Sequence, residues 1–88
     1  MSESPEIRLR RLRMRSWRRG MKEMDLILGG FADQCLAQLT AAELDAHEIM
    51  MDENDQDLYL WITGAQQGPA HLLPALARVS AYLQQKQG

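Results

Sequence analysis

The sequence predicts an all-α fold, a compact bundle of five short helices. Two observations carry this. No segment alternates apolar and polar residues over the length of a strand, and β-branched residues are scarce. Apolar residues recur instead at three- and four-residue intervals, the spacing that lines one face of a helix, and caps, glycines and prolines punctuate the chain between these stripes.

Ser4 followed by Pro5 reads as the N-cap and first position of a first helix. This helix runs to about Arg18 and ends at Gly20. Ile7, Met14, Trp17 and Met21 fall in one narrow sector of its wheel, whereas Leu9 and Leu12 do not, so it is only moderately amphipathic. The second helix is the clearest: Met24, Ile27, Leu28, Phe31, Cys35 and Leu39 follow the spacing of a buried stripe. Gly29-Gly30 interrupts it, at a cost of roughly 1 kcal/mol per glycine relative to alanine, and points to a kink or a close helix crossing. Thr40-Ala-Ala-Glu43 is a capping box that opens a third helix ending near Met51. Asp52–Gln56 is a turn, from which Asn54 or Asp55 caps a fourth helix through Leu58, Trp61 and Ile62, stopped at Gly64. Gln66–Pro69 is a loop. Leu72, Leu73, Leu76, Val79, Ser80 and Leu83 give the last helix, with Pro74 in its first turn, where a missing N–H has no intrahelical acceptor anyway. Residues 1–88 are expected to form one domain, with 1–4 as a flexible N-terminus.

Charge is segregated along the chain. Residues 1–22 carry eight basic and two acidic side chains, residues 23–57 ten acidic and no basic ones, and residues 58–88 only Arg78 and Lys86, for a net charge of -2. No apolar run approaches the roughly 20 residues of a membrane span. A chain of 88 residues has little room for both a core and a deep catalytic cleft. One cysteine excludes an internal disulfide and fits a reducing compartment. The start, Met1 to Glu6, lacks the apolar region of a secretory signal, and Glu3 and Glu6 argue against reading the arginine run as a mitochondrial transit peptide. The location expected on these grounds is a bacterial cytoplasm.

Chemistry-bearing constellations are few. Cys35 lies on an apolar stripe beside Asp33, Gln34 and Leu36, which supply neither the base nor the positive field of a reactive thiol. His47 and His71 are 24 residues apart, without the ligand spacing of a metal site. Gly29-Gly30 follows no strand and belongs to no phosphate-binding pattern. Asp52, Glu53, Asp55 and Asp57 lack the central glycine and closing glutamate of a calcium loop, and their ordinary role is at a helix N-terminus. No catalytic, metal-binding or cofactor-binding residue is therefore assigned. Arg8, Arg10, Arg11, Arg13, Arg15, Arg18 and Arg19 could follow a phosphate backbone. They spread around the helix rather than forming one stripe, and no nucleic-acid-binding signature accompanies them. The alternative is a match, within one chain or between chains, to the acidic middle segment. A small helical nucleic-acid-binding protein using this helix is the runner-up functional reading.

The most informative stretch is Arg18-Arg19-Gly20-Met21-Lys22-Glu23-Met24-Asp25, where the sign of the charge changes. Glycine can take the left-handed conformation that such a corner often needs, and it lets another backbone approach. Glu23 either answers the second helix dipole and pairs weakly with Arg19, or forms with Arg19 and Gly20 a surface for a partner.

Arg19-Gly20-Met21-Lys22-Glu23 resembles the Arg-Gly-x-x-Glu signature of the succinate dehydrogenase flavinylation factor family, also called succinate dehydrogenase assembly factor 2. Glu23-Met-Asp-Leu26, Gly30-Phe31 and Asp57-Leu-Tyr-Leu-Trp61 look like the family's second and fourth helices, and the resemblance covers roughly residues 8–83. Gln56 departs from it, since many members have a proline before the acid. The resemblance implies a five-helix assembly chaperone, not an enzyme, that binds the flavoprotein subunit of succinate dehydrogenase, and often of fumarate reductase. Such a factor promotes covalent attachment of FAD to that subunit and needs no cofactor of its own. Carried over by position, Arg19, Gly20 and Glu23 form the centre of the docking surface, with Asp25 and the turn acids Asp52 and Asp55 at its margin. A monomer is expected, and the apolar residues of the first helix offer a route to weak self-association. No membrane or nucleic acid is expected as a partner.

Overall fold

The computed structural model describes residues 3–87. Among them are five α-helices and no strand: α1 (Pro5–Trp17), α2 (Lys22–Cys35), α3 (Ala41–Met51), α4 (Asp55–Ile62) and α5 (Leu73–Gln87). Single 3-10 turns, Leu36–Gln38 and Ala70–Leu72, extend α2 and lead into α5. Neither was visible in the apolar spacing, because a three-residue turn is too short to show a period.

Local chemistry starts α1, α3 and α4 where the sequence indicates, whereas α2 begins after Met21 with no side-chain cap. Ser4 caps α1, its hydroxyl accepting from the Ile7 N–H at 3.2 Å, with Pro5 at the first helical position. Thr40 and Glu43 form a reciprocal capping box on α3: the Glu43 N–H donates to the Thr40 hydroxyl and the Thr40 N–H to the Glu43 carboxylate. Asn54, not Asp55, caps α4, accepting from the N–H groups of Gln56 and Asp57. Gly64 ends the segment with φ of 85°, a conformation that side chains other than glycine rarely adopt. Residues 1–2 of the N-terminal stretch expected to be flexible lie outside the described residues; of the rest, Ser4 is the α1 cap and Glu3 pairs with Arg11.

The core runs between all five helices. α2 supplies Met24, Ile27, Leu28, Phe31 and Ala32, α3 supplies Met50 and Met51, α4 supplies Leu58 and Ile62, and α5 supplies Ala75, Leu76, Val79 and Tyr82. The glycine pair marks two close crossings. A Cβ at Gly29 would collide with the Trp17 ring of α1, and one at Gly30 with the Tyr82 hydroxyl of α5. His47 is fully buried in α3, stacked on Phe31 at 5.0 Å between ring centroids, and neither ring nitrogen has a hydrogen-bond partner. Burial is the main force holding its pKa down at about 4, with the charges of Arg78 and Arg19 adding to it.

The α1 face differs from the one its wheel suggests. Leu12 and Ser16 are buried, whereas Ile7, Met14 and Trp17 are 54%, 48% and 40% exposed. Ser16 is small and donates to the Leu12 carbonyl at 2.7 Å, so it enters the helix interface at little cost. The apolar sector chosen from sequence is instead left largely on the outside.

Candidate functional site

The arginines of α1 are largely answered by acids of the middle segment. Arg8 pairs with Asp45 and Glu48, Arg11 with Glu48 and Glu3, and Arg15 with Asp52, while Arg13 reaches Asp33 on α2. These contacts pull the carboxyls of Glu3 and Glu48 below their usual range, with the hydrogen bond to Arg11 the leading cause in both. A helix so neutralised from within has little left for a phosphate backbone, and the nucleic-acid reading loses its main support. Among the described residues only Arg10 and Arg18 of this helix and its cap make no ion pair, and both are exposed.

The chain then turns from α1 into α2 at Arg18–Met21, where Arg19 is held from four directions. Its backbone N–H donates to Asp25 Oδ1 at 2.6 Å. Its Nε donates to Asp55 Oδ1 at 2.6 Å, Nη1 to the Met51 carbonyl at 2.6 Å and Nη2 to the Glu53 carbonyl at 3.0 Å. Met51 is the last residue of α3, so the guanidinium also places its charge on the negative end of that helix. The second oxygen of Asp55 accepts from the Gly20 N–H at 2.9 Å. One carboxylate at the first position of α4 thus holds both residues of the corner, and the Arg19 side chain is only 10% exposed. Arg19 pairs with Asp55 and not with Glu23, the pairing that sequence proximity suggested.

Gly20 itself is exposed, and its φ is not positive; the left-handed conformation considered for this corner is found at Gly64 instead. A Cβ built on Gly20 would have as its nearest neighbour Asp55 Oδ2 at 3.9 Å, an ordinary contact. The fold therefore does not demand glycine here. Gly20, Met21, Lys22, Glu23, Asn54, Asp55 and Gln56 line a shallow notch of about 540 Å³. Glu23 stands exposed in the first turn of α2 at this notch. Of the six residues singled out by sequence, Arg19, Gly20, Asp25 and Asp55 form one bonded network and Glu23 lies beside it. Asp52 lies apart from that network, at the C-cap of α3, bound to Arg15 at 2.9 Å.

A family model described as "Flavinator of succinate dehydrogenase" matches residues 10–87. The chain belongs to this family. The match takes in α1 from Arg10 onward, the Arg19–Gly20 corner and every later helix, so it rests on far more of the chain than the motif alone. Relatives named succinate dehydrogenase assembly factor 2, mitochondrial, include one from Schizosaccharomyces japonicus, 35% identical over 98% of this chain and 62% of the relative. Others come from Scheffersomyces stipitis, 44% identical over 69% of this chain and 41% of the relative, and from Candida glabrata, 40% identical over 72% and 41%. The chain spans between 41% and 62% of the length of these three relatives. No solved structure matches it. The relatives overturn the bacterial cytoplasmic placement, since these flavinator-family proteins are fungal and mitochondrial by name. That placement leaned on Glu3 and Glu6 as acids foreign to a transit peptide, whereas both belong to the folded part of the chain: Glu3 pairs with Arg11 and Glu6 sits in the first turn of α1.

Proposed function

We propose that this protein docks through the Gly20 corner onto the flavoprotein subunit of succinate dehydrogenase and promotes covalent attachment of FAD there. Family membership supports the process. The observation that carries the docking site is the bare, exposed backbone at Gly20, which the fold itself does not require. A side chain is missing where another protein's backbone could approach, and Glu23 offers a free carboxylate beside it. Arg19 acts from beneath this surface: its guanidinium is spent on Asp55 and two carbonyls, so it shapes the corner rather than reaching the partner.

The chain works as an assembly chaperone. Covalent flavinylation needs the acceptor histidine of the subunit held against the flavin and developing charge on the ring stabilised. A small rigid bundle supplies this by favouring one conformation of the client. FAD is then cargo of the client, with no cofactor resident in this chain, and the same surface serves the flavoprotein subunit of fumarate reductase. The free protein is a monomer in this proposal.

The test is Gly20→Arg. The variant is expected to keep the thermal stability and helical circular dichroism of the parent and to lose covalent flavin on the client, read by flavin fluorescence in a denaturing gel. Normal flavinylation with a folded Gly20→Arg protein would sink the proposal.

A further inference from the structure

The exposed side of α1 forms a groove of about 670 Å³ that ends at the Gly20 corner. Ile7, Arg10, Met14 and Arg18 succeed one another along it at intervals of three, four and four residues, one stripe of a helix. Ile7 and Met14 are about half exposed, and Arg10 and Arg18 are the two arginines of the segment without an ion pair among the described residues. Every other arginine of residues 8–19 is turned to an acid of this same chain. The stripe therefore combines unspent positive charge with unburied apolar surface, and Glu53 and Asp55 close its far end.

We propose that this groove holds an extended acidic segment of the flavoprotein subunit, with two carboxylates meeting Arg10 and Arg18 and an apolar side chain between them seated on Met14. This rests on the docking reading above and extends it from the corner along α1. Eight helical positions separate the two arginines, which is about 12 Å at the rise of an α-helix. An extended strand covers that distance in about four residues, which fixes the spacing of the two carboxylates. A nucleic acid fits less well. Its phosphates repeat without interruption, whereas this stripe alternates two unpaired arginines with apolar side chains.

The proposal is tested with the full chain and the purified flavoprotein subunit of succinate dehydrogenase from the same organism, with affinity measured across a salt series. The double variant Arg10→Glu/Arg18→Glu removes no internal ion pair and is expected to melt like the parent. It should bind at least about tenfold more weakly and show a flatter salt dependence. Met14→Glu should weaken binding by about tenfold, since a carboxylate is placed where an apolar contact is expected. Parent-like affinity and salt slope in the double variant, alongside lost binding in Gly20→Arg, overturns the groove and leaves the corner standing. No binding by the parent overturns the docking reading and the groove with it. Two further outcomes also overturn it. One is tighter binding of a 20-nucleotide single-stranded RNA than of the subunit, lost in the double variant. The other is a parent dimer in sedimentation that Met14→Glu dissolves.

Discussion

Replacing Asp55 by alanine tests the inner construction of the corner. In the parent, the two Asp55 oxygens accept from Arg19 Nε at 2.6 Å and from the Gly20 N–H at 2.9 Å. The side chains of Arg19 and Asp55 are 10% and 16% exposed, so water reaches the pair only at its edge. Removing one member of a fully buried ion pair costs about 3–5 kcal/mol, because the other charge is left without its partner. Two circumstances reduce that figure here. The pair retains some solvent access, and the Met51 and Glu53 carbonyls still hold the guanidinium. A loss of about 2–3 kcal/mol follows, the upper part of it from the lost acid at the start of α4. A domain of this size has roughly 4–13 kcal/mol in total. Asp55→Ala is therefore expected to lower the melting temperature by about 10–20 °C. Urea unfolding followed by circular dichroism gives the free energy directly. Glu23→Ala, at an exposed site, should stay within about 0.5 kcal/mol of the parent. A loss below about 0.5 kcal/mol in Asp55→Ala would refute the clamp, and with it the claim that Arg19 is spent inside the fold.

Three further expectations follow from the same structure. Because His47 is neutral when buried and its pKa falls from 6.5 to about 4, the unfolded chain binds the extra proton. Stability should therefore fall as pH drops from about 6.5 to 4, by about 3 kcal/mol. His47→Leu should flatten that slope in urea midpoints measured across the window, whereas the loss at lower pH, where the unfolded chain protonates Glu48 before the folded, ion-paired carboxylate does, should persist. Gly29→Ala should cost about 1–3 kcal/mol despite alanine's better helix propensity, because the new methyl displaces the Trp17 ring; a shift in tryptophan emission reports the displacement. Thr40→Ala should cost about 1 kcal/mol by opening the α3 capping box, measured by thermal melting.

Those elements whose stabilising groups are neighbours in sequence could be read from it. Ser4, Pro5, the Thr40–Glu43 box and Asn54 satisfy backbone groups within three residues of themselves, and all start helices as expected. Gly29-Gly30 announced a close approach, although not that Trp17 and Tyr82 were the visitors. The match of the basic start to the acidic middle was also legible as charge, while its register was not. What sequence hid was decided across the bundle. The wheel of α1 favoured Ile7, Met14 and Trp17, but the α1–α2 interface selects Leu12 and a serine that satisfies its own hydroxyl. Arg19 lies four residues from Glu23 and 36 from Asp55, and it pairs with the distant one because α4 begins at the corner. His47 gave no signal of core burial, since its stacking partner Phe31 comes from another helix.

The central claim is that this chain is needed for flavin attachment to the succinate dehydrogenase flavoprotein subunit. Deleting its gene and measuring covalent FAD on that subunit by in-gel flavin fluorescence, with subunit abundance followed by immunoblot, tests it most directly. The account expects the fluorescent band to be lost while the subunit is still made, and to return on complementation with the parent but not with Gly20→Arg. An undiminished band in the deletion strain would contradict it.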